Sequence, residues 1–237
     1  SADSLCTTQL DNVTMEAWVR WNGKMGDANF IILNGNAGTS GYGLYYHYPD
    51  LSIVCGGVGY ATATVPLKSD ESAWYHVAGV RDNGTWKLYV NGNPLPVSGN
   101  PVPEPPTGTA FICGDHEGVS TFDGEIDEVR IWNTARTEEQ LQQNMTAKLT
   151  GSETGLAAYY PFDEATGSTA FNAVAGGSDV HFIHSASWEN KPIISGVDTV
   201  FSNGTPYIYS VLPTAGTTYA WDVSNGTIVA TTTNSVS

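Results

Sequence analysis

Apolar and polar residues alternate over short stretches along most of the chain, with the two-residue period of half-buried strands. Residues 14–21 (TMEAWVRW) form one such run, 29–34 (NFIILN) a second, 41–47 (GYGLYYH) a third and 51–55 a fourth. Residues 74–81 and 85–90 flank Asn83 and Gly84. Both central residues of a tight hairpin turn need positive φ, which Asn and Gly tolerate, so a β-hairpin is predicted here. A second Asn-Gly pair follows at Asn91 and Gly92. The proline-rich stretch 94–106 lacks ladder donors and predicts an exposed loop. Strands are expected again over 110–113 and 122–132. In the second of these, Ile126 falls out of step with Val129 and Ile131, and one extra residue between them predicts a bulge.

A single short helix is expected. Thr137 suits an N-cap, Gln140 three residues on completes a capping box, and Leu141 and Met145 supply an i, i+4 apolar stripe. A strand returns over 156–162. Many short strands with regular turns and one helix predict an all-β sandwich. The composition shifts near Asn190, Lys191 and Pro192, and four short apolar runs follow (PIISG, TPYIYSV, TYAWDV, GTIVA). The expected division is therefore 1–190 and 191–237, the second part being an incomplete immunoglobulin-like sandwich, since that fold takes about 100 residues.

Composition narrows the function. The 237 residues carry 24 acids against 9 bases, a formal net charge of −15. Nucleic acids and anionic membranes need a basic surface and are excluded as expected partners. Divalent cations suit the balance better. No run of about 18 apolar residues occurs, so no membrane insertion is expected. Ser1 follows no leader, which suggests a mature or excised fragment. Three cysteines, Cys6, Cys55 and Cys113, permit at most one internal disulfide. Sequons at Asn12, Asn83, Asn144, Asn203 and Asn225 fit an exported protein at the cell surface.

The run FDGEIDEVRIW over 122–132, followed by TARTEEQL over 134–141, resembles the signature of laminin-G-like, concanavalin A-like jelly-roll domains. MEAWV (15–19), WYHVAG (74–79), KLYVNG (87–92) and GLAAYYPFDE (155–164) occur in that family's order. The resemblance covers about residues 4–190 and implies a jelly-roll β-sandwich with one short helix. YAWDV (219–223) resembles a strand of PKD-like domains. That pairing implies a large secreted or surface-anchored bacterial protein with further domains. Fold alone does not fix function, because such sandwiches host lectins, adhesins, spacers and enzymes.

The candidate chemistry follows from residue types. Hard cations want several loop oxygens. The related pentraxins hold calcium with an Asp-Asn pair before an early strand and an acidic loop before the FDGEIDEV-like strand. Here Asp27 and Asn29, one residue apart rather than contiguous, precede FIILN, while Asp115 and Glu117 precede the later strand. These four are the expected Ca²⁺ ligands, unless they are ordinary polar loop residues. Asp163, Glu164 and Asn172 form an alternative set.

Glu125 and Asp127 resemble the first two acids of a glycosidase triad, but Val129 or Arg130 stands where the third belongs. The missing acid is worth about 10²- to 10⁴-fold in rate, so no enzyme is expected. Asp127, Glu128 and Arg130 are expected to bond across the sheet, and His76 to be packed or half-exposed. Tyr42, Tyr46, Tyr48 and Tyr60 are the expected ligand-binding residues, because flat aromatic rings stack on sugars. The leading expectation is a non-catalytic adhesion module recognising a glycan or glycoprotein. A structural spacer is the alternative, and a hydrolase the least favoured.

Overall fold

The computed structural model describes residues 7–23, 29–69, 73–115, 117–183 and 186–188, together with the backbone of three short strands beyond them. The chain divides into two compact units, Ser1–Trp188 and Glu189–Ser237. In the first unit the strands are β1 (Val13–Trp21), β2 (Asn29–Asn36), β3 (Ser40–His47), β4 (Asp50–Cys55), β5 (Gly59–Thr64), β6 (Tyr75–Asp82), β7 (Thr85–Val90), β8 (Asn93–Pro94), β9 (Ala110–Ile112), β10 (Gly124–Trp132), β11 (Leu156–Tyr160), β12 (Thr169–Ala170) and β13 (Val180–His181). Helix α1 (Glu138–Asn144) lies between β10 and β11.

A six-stranded sheet, ordered β11-β10-β1-β6-β7-β8, faces a five-stranded sheet, ordered β5-β4-β3-β2-β9. This is the expected all-β jelly-roll sandwich. The core lies between the sheets and is built by alternation. Val13, Met15, Ala17, Val19 and Trp21 of β1 point inward, as do Tyr42, Leu44 and Tyr46 of β3. At Gly79 of β6 a Cβ would sit 2.4 Å from Ile53 Cδ1 of the opposite sheet, so the glycine allows the layers to meet there.

The local signals hold. Asn83 and Gly84 turn the β6–β7 hairpin with φ of 46° and 79°. The bulge sits in β10: Glu16 opposes Arg130 and Trp18 opposes Asp127, so Glu128 and Val129 of β10 face Ala17 alone on β1, with Glu128 at φ 52°. Thr137 and Gln140 form the capping box of α1, and Leu141 packs fully buried on Ala78, Val80 and Tyr89.

Two findings depart from the sequence reading, and a third settles a point it left open. Strand β5 was not foreseen, because only Ala61 and Ala63 face the core there and neither gives a strong apolar signal. The loop over 94–106 is not wholly exposed. Pro103 and Pro106 are buried, and the Pro101 carbonyl accepts from Arg81 Nη1 and Trp86 Nε1, each at 3.0 Å. Cys55 and Cys113 are thiols that do not pair with each other, and burial pushes each up to about 11; Cys6 lies outside the described residues.

In the second unit β14 (Ile194–Ser195), β15 (Tyr209–Val211) and β16 (Ser235–Val236) form one antiparallel sheet. The remainder of the four expected strands, and the PKD-like phrase at 219–223, lie outside the described residues.

Candidate functional site

The outward face of the five-stranded sheet carries aromatic residues instead of the usual polar ones. Cross-strand register aligns Tyr60, Val54, Gly43, Leu33 and Phe111 in one row. The next row holds Thr62, Ser52, Tyr45 and Phe30, and the one after it Thr64, Asp50 and His47. Phe30, Leu33, Val54 and Phe111 are buried by one another and by Tyr45 and Ala37. Tyr60 stands clear, 59% exposed, with its ring 6.0 Å from that of Tyr45, which in turn lies 5.5 Å from Phe30. Burial pushes the Tyr45 hydroxyl above its ordinary value, so it stays a protonated donor. Ser52 donates to Thr62 at 3.0 Å, and Thr64 to Asp50 at 2.7 Å. The face thus offers ring surface beside hydroxyls and a carboxylate.

The four tyrosines expected to bind ligand part company. Tyr42 and Tyr46 are fully buried, and this part of the expectation is corrected. Their hydroxyls donate to Gln9 O (2.7 Å) and Val65 O (3.2 Å), which lets large rings fill the core without an orphaned polar tip. Tyr48 is 37% exposed and stacks on Trp21, ring centroids 5.4 Å apart, beyond the end of β3. Tyr60 remains on the sheet. Five residues of strand rise separate the Tyr60 row, at Gly43, from Tyr48, about 17 Å at about 3.4 Å per residue. Tyr45 is the residue the sequence reading left out. Parity could have found it: Leu44 marks the even positions of β3 as core, and Tyr45 must then face the other way.

The loop between β9 and β10 runs beside the start of β2. Phe30 N donates to Ser120 O at 3.2 Å, and Asp123 N to Asn29 Oδ1 at 3.4 Å. The segments holding Asn29, Asp115 and Glu117 therefore adjoin, at the rim of the aromatic face. Asn29 is wholly buried and also donates to Tyr46 O at 3.1 Å. Asp115 is half-buried and accepts from Val119 N at 3.2 Å; Glu117 is exposed. Asp27 lies outside the described residues. In the alternative set, Asp163 pairs with Lys148, Glu164 accepts from Phe171 N, and Asn172 Oδ1 accepts from Tyr159 N and Val174 N. Among the described residues no three His, Cys, Asp or Glu side chains converge as a metal site.

On the opposite sheet the acids of β10 are structural. Glu125 pairs with Arg20, and Asp127 accepts from Glu128 N. Arg130 is held by Glu128, Asn144 O and Ala147 O, each at 2.7 Å. Only part of this bonding crosses the sheet: Glu128 pairs within its own strand but also accepts from Tyr159 of β11. His76 is 1% exposed, as expected, with Nε2 3.0 Å from Glu16 Oε2. Val129, in the glycosidase pattern's third place, is fully buried in the core.

A family profile for the concanavalin A-like lectin/glucanases superfamily, Laminin_G_3, matches residues 2–142. The chain belongs to the Laminin_G_3 family. Its sandwich is similar to a candidate carbohydrate-binding protein from Bacteroides ovatus, with 28% identity and a TM-score of 0.60 over 76% of this chain and 54% of that one. The chain thus spans about half the length of that protein. More distant likenesses are a heptameric pentraxin of Limulus polyphemus (17% identity, TM-score 0.45, 56% of this chain and 69% of that one) and a sialyllactose-bound module of a Ruminococcus gnavus sialidase (15%, 0.47, 57% and 83%). No curated protein sequence matches. The outward face around Tyr45 and Tyr60 combines exposed ring surface with flanking hydroxyls and a carboxylate.

Proposed function

We propose that this chain is a non-catalytic glycan-binding module of a larger secreted or surface protein. The observation that carries the reading is Tyr60, a large aromatic ring 59% exposed beside Tyr45 on an otherwise regular sheet face. Aromatic rings on a flat, rigid strand surface stack on pyranose faces at low cost in conformational entropy. The hydroxyls of Thr62 and Thr64 and the carboxylate of Asp50 flank the rings and suit sugar hydroxyls. Family membership and likeness to the Bacteroides ovatus protein support the same class of ligand. The absence of an acid at Val129 or Arg130 supports binding without hydrolysis.

The reading includes Ca²⁺ at the loop rim, held by Asp27, Asn29, Asp115 and Glu117 with nearby carbonyls. Its support is the adjacency of the β2 start and the 113–123 loop, together with the net charge of −15. The acidic surface and the sequons support an exported setting, and among the described residues no helix is long and apolar enough to cross a membrane. The test is a glycan array followed by amide chemical-shift mapping with the best neutral hit. Shifts should centre on Tyr45, Ser52, Tyr60 and Thr62. Shifts confined to other surfaces would overturn the assignment of this face.

A further inference from the structure

A second cleft lies across the sandwich from the tyrosine face, beside α1. It has a volume of about 390 Å³, within the range of small-molecule sites, and is lined by Trp132, Thr134, Arg136, Gln140, Asn144 and Glu153 among others. Arg136 is its notable member. Its guanidinium lies 4.1 Å from the centre of the Trp132 ring, and its Nε is buried with no hydrogen-bond partner. The Nε groups of the other described arginines are likewise buried and unpartnered, but their terminal nitrogens are engaged, Arg20 with Glu125, Arg81 with the Pro101 carbonyl, and Arg130 with Glu128 and two carbonyls. Only the backbone N–H of Arg136 is tied down, to Thr14 Oγ1.

The anions near Arg136 do not satisfy it. Glu153 turns its carboxylate to Thr150 N, Thr150 Oγ1 and Gly151 N. Glu16, the nearby charge that favours the guanidinium, accepts from Trp132 Nε1 and faces His76, while Arg130 opposes it. Burial lowers the pKa of Arg136. A buried guanidinium edge without an acceptor is costly, and a planar carboxylate is its natural partner. Gln140 also lines the cleft, and because its Oε1 accepts from Thr137 N, its amide NH₂ is the group left to donate there.

We propose that this cleft is a second ligand site that takes a carboxylate-bearing sugar, such as a uronic acid unit, with Arg136 clamping the carboxylate. The sugar half of this assignment rests on the glycan-binding reading; the carboxylate half rests on Arg136 alone. Stacked on Trp132, the guanidinium is held flat and ready, so little side-chain freedom is lost on binding. In a chain with 24 acids and 9 bases, an unpaired cation in a recess also selects the acidic unit of a mixed glycan.

The experiment follows the Nε–Hε correlation of Arg136 by NMR in the full chain while sodium D-glucuronate, D-glucose or sodium acetate is added at matched ionic strength. Glucuronate should shift this signal and the amides of 134–144 saturably, glucose should not, and acetate should do so only weakly. R136Q should weaken glucuronate binding about tenfold or more, and Q140A by less. Binding to the tyrosine face should be unchanged in both variants. If R136Q fails to fold, the wild-type titration and Q140A still decide. No saturable shift with glucuronate overturns the site. Equal response to acetate and glucuronate overturns the sugar assignment, and tighter binding of an acidic peptide than of glucuronate overturns it in favour of a protein ligand. A neutral glycan bound at Tyr60 with no glucuronate response sinks this proposal and leaves the first reading standing; the reverse separates them the other way.

Discussion

Glu16 is the sharpest stability test of the six-stranded sheet. It sits 1% exposed on the outward side of β1, beneath α1 and the segment that follows it. Burial raises its pKa, but the hydrogen bond and charge of His76, the charge of Arg130 and the Trp132 N–H together hold the carboxyl below its ordinary value of 4.5. E16Q keeps the shape and an acceptor for Trp132 while removing the charge. His76 Nε2 stands 3.0 Å from the buried Glu16 Oε2, and breaking a buried pair on one side costs about 3–5 kcal/mol. For a unit of this size each kcal/mol moves Tm by about 2–4 °C, so E16Q should melt about 6–20 °C lower. The control is D163N, whose partner Lys148 is 70% exposed, and it should cost less than about 1 kcal/mol. The sign with pH is fixed. A carboxyl lowered by folding contributes its full stability above the unfolded value and loses it as pH falls through the folded one. Urea unfolding should therefore show the full gap between wild type and E16Q at pH 7, narrowing only below about pH 4.5. A cost no larger than that of D163N, or a gap unchanged into acid, would refute the reasoning.

Other outcomes follow from the same packing. L141A should cost about 2–5 kcal/mol by denaturant unfolding, since Leu141 is the buried residue of α1 and seals Ala78, Val80 and Tyr89. Cys55 and Cys113, with pKa values pushed up to about 11, should react with thiol reagents in the native state far more slowly than in urea. For the proposed calcium site, millimolar Ca²⁺ added after chelator should raise Tm, by about 2.7 kcal/mol of stability at a hundredfold excess over Kd. D115A should abolish the rise, and a flat melt would remove calcium from the mechanism.

Much of the architecture was legible because it is written in local chemistry. Asn83-Gly84 can do little but turn a hairpin, Thr137 and Gln140 cap one helix end reciprocally, and the broken period after Ile126 locates the bulge at Glu128. What was not legible depends on neighbours. Residues 42–46 are apolar or aromatic on both faces, so the run alone does not say which tyrosines are core; the sheet's partners decide that Tyr42 and Tyr46 go in while Tyr45 goes out. Glu16 and Arg130 alternate like solvent-facing residues, yet they are buried beneath the helix and the segment after it. The unpaired guanidinium of Arg136 is likewise invisible in sequence, because pairing is a property of the fold. Metal ligands were hardest, since loop oxygens carry no period.

The central claim is that glycan binds on Tyr60. Isothermal titration of the best array hit into wild type and Y60A tests it directly. Tyr60 is exposed, so the variant should keep its stability within about 0.5 kcal/mol. Loss of a central aromatic contact should weaken binding by about 2 kcal/mol, roughly thirtyfold. Wild-type binding with that loss in folded Y60A is the predicted result. Equal affinity in both proteins would contradict the account.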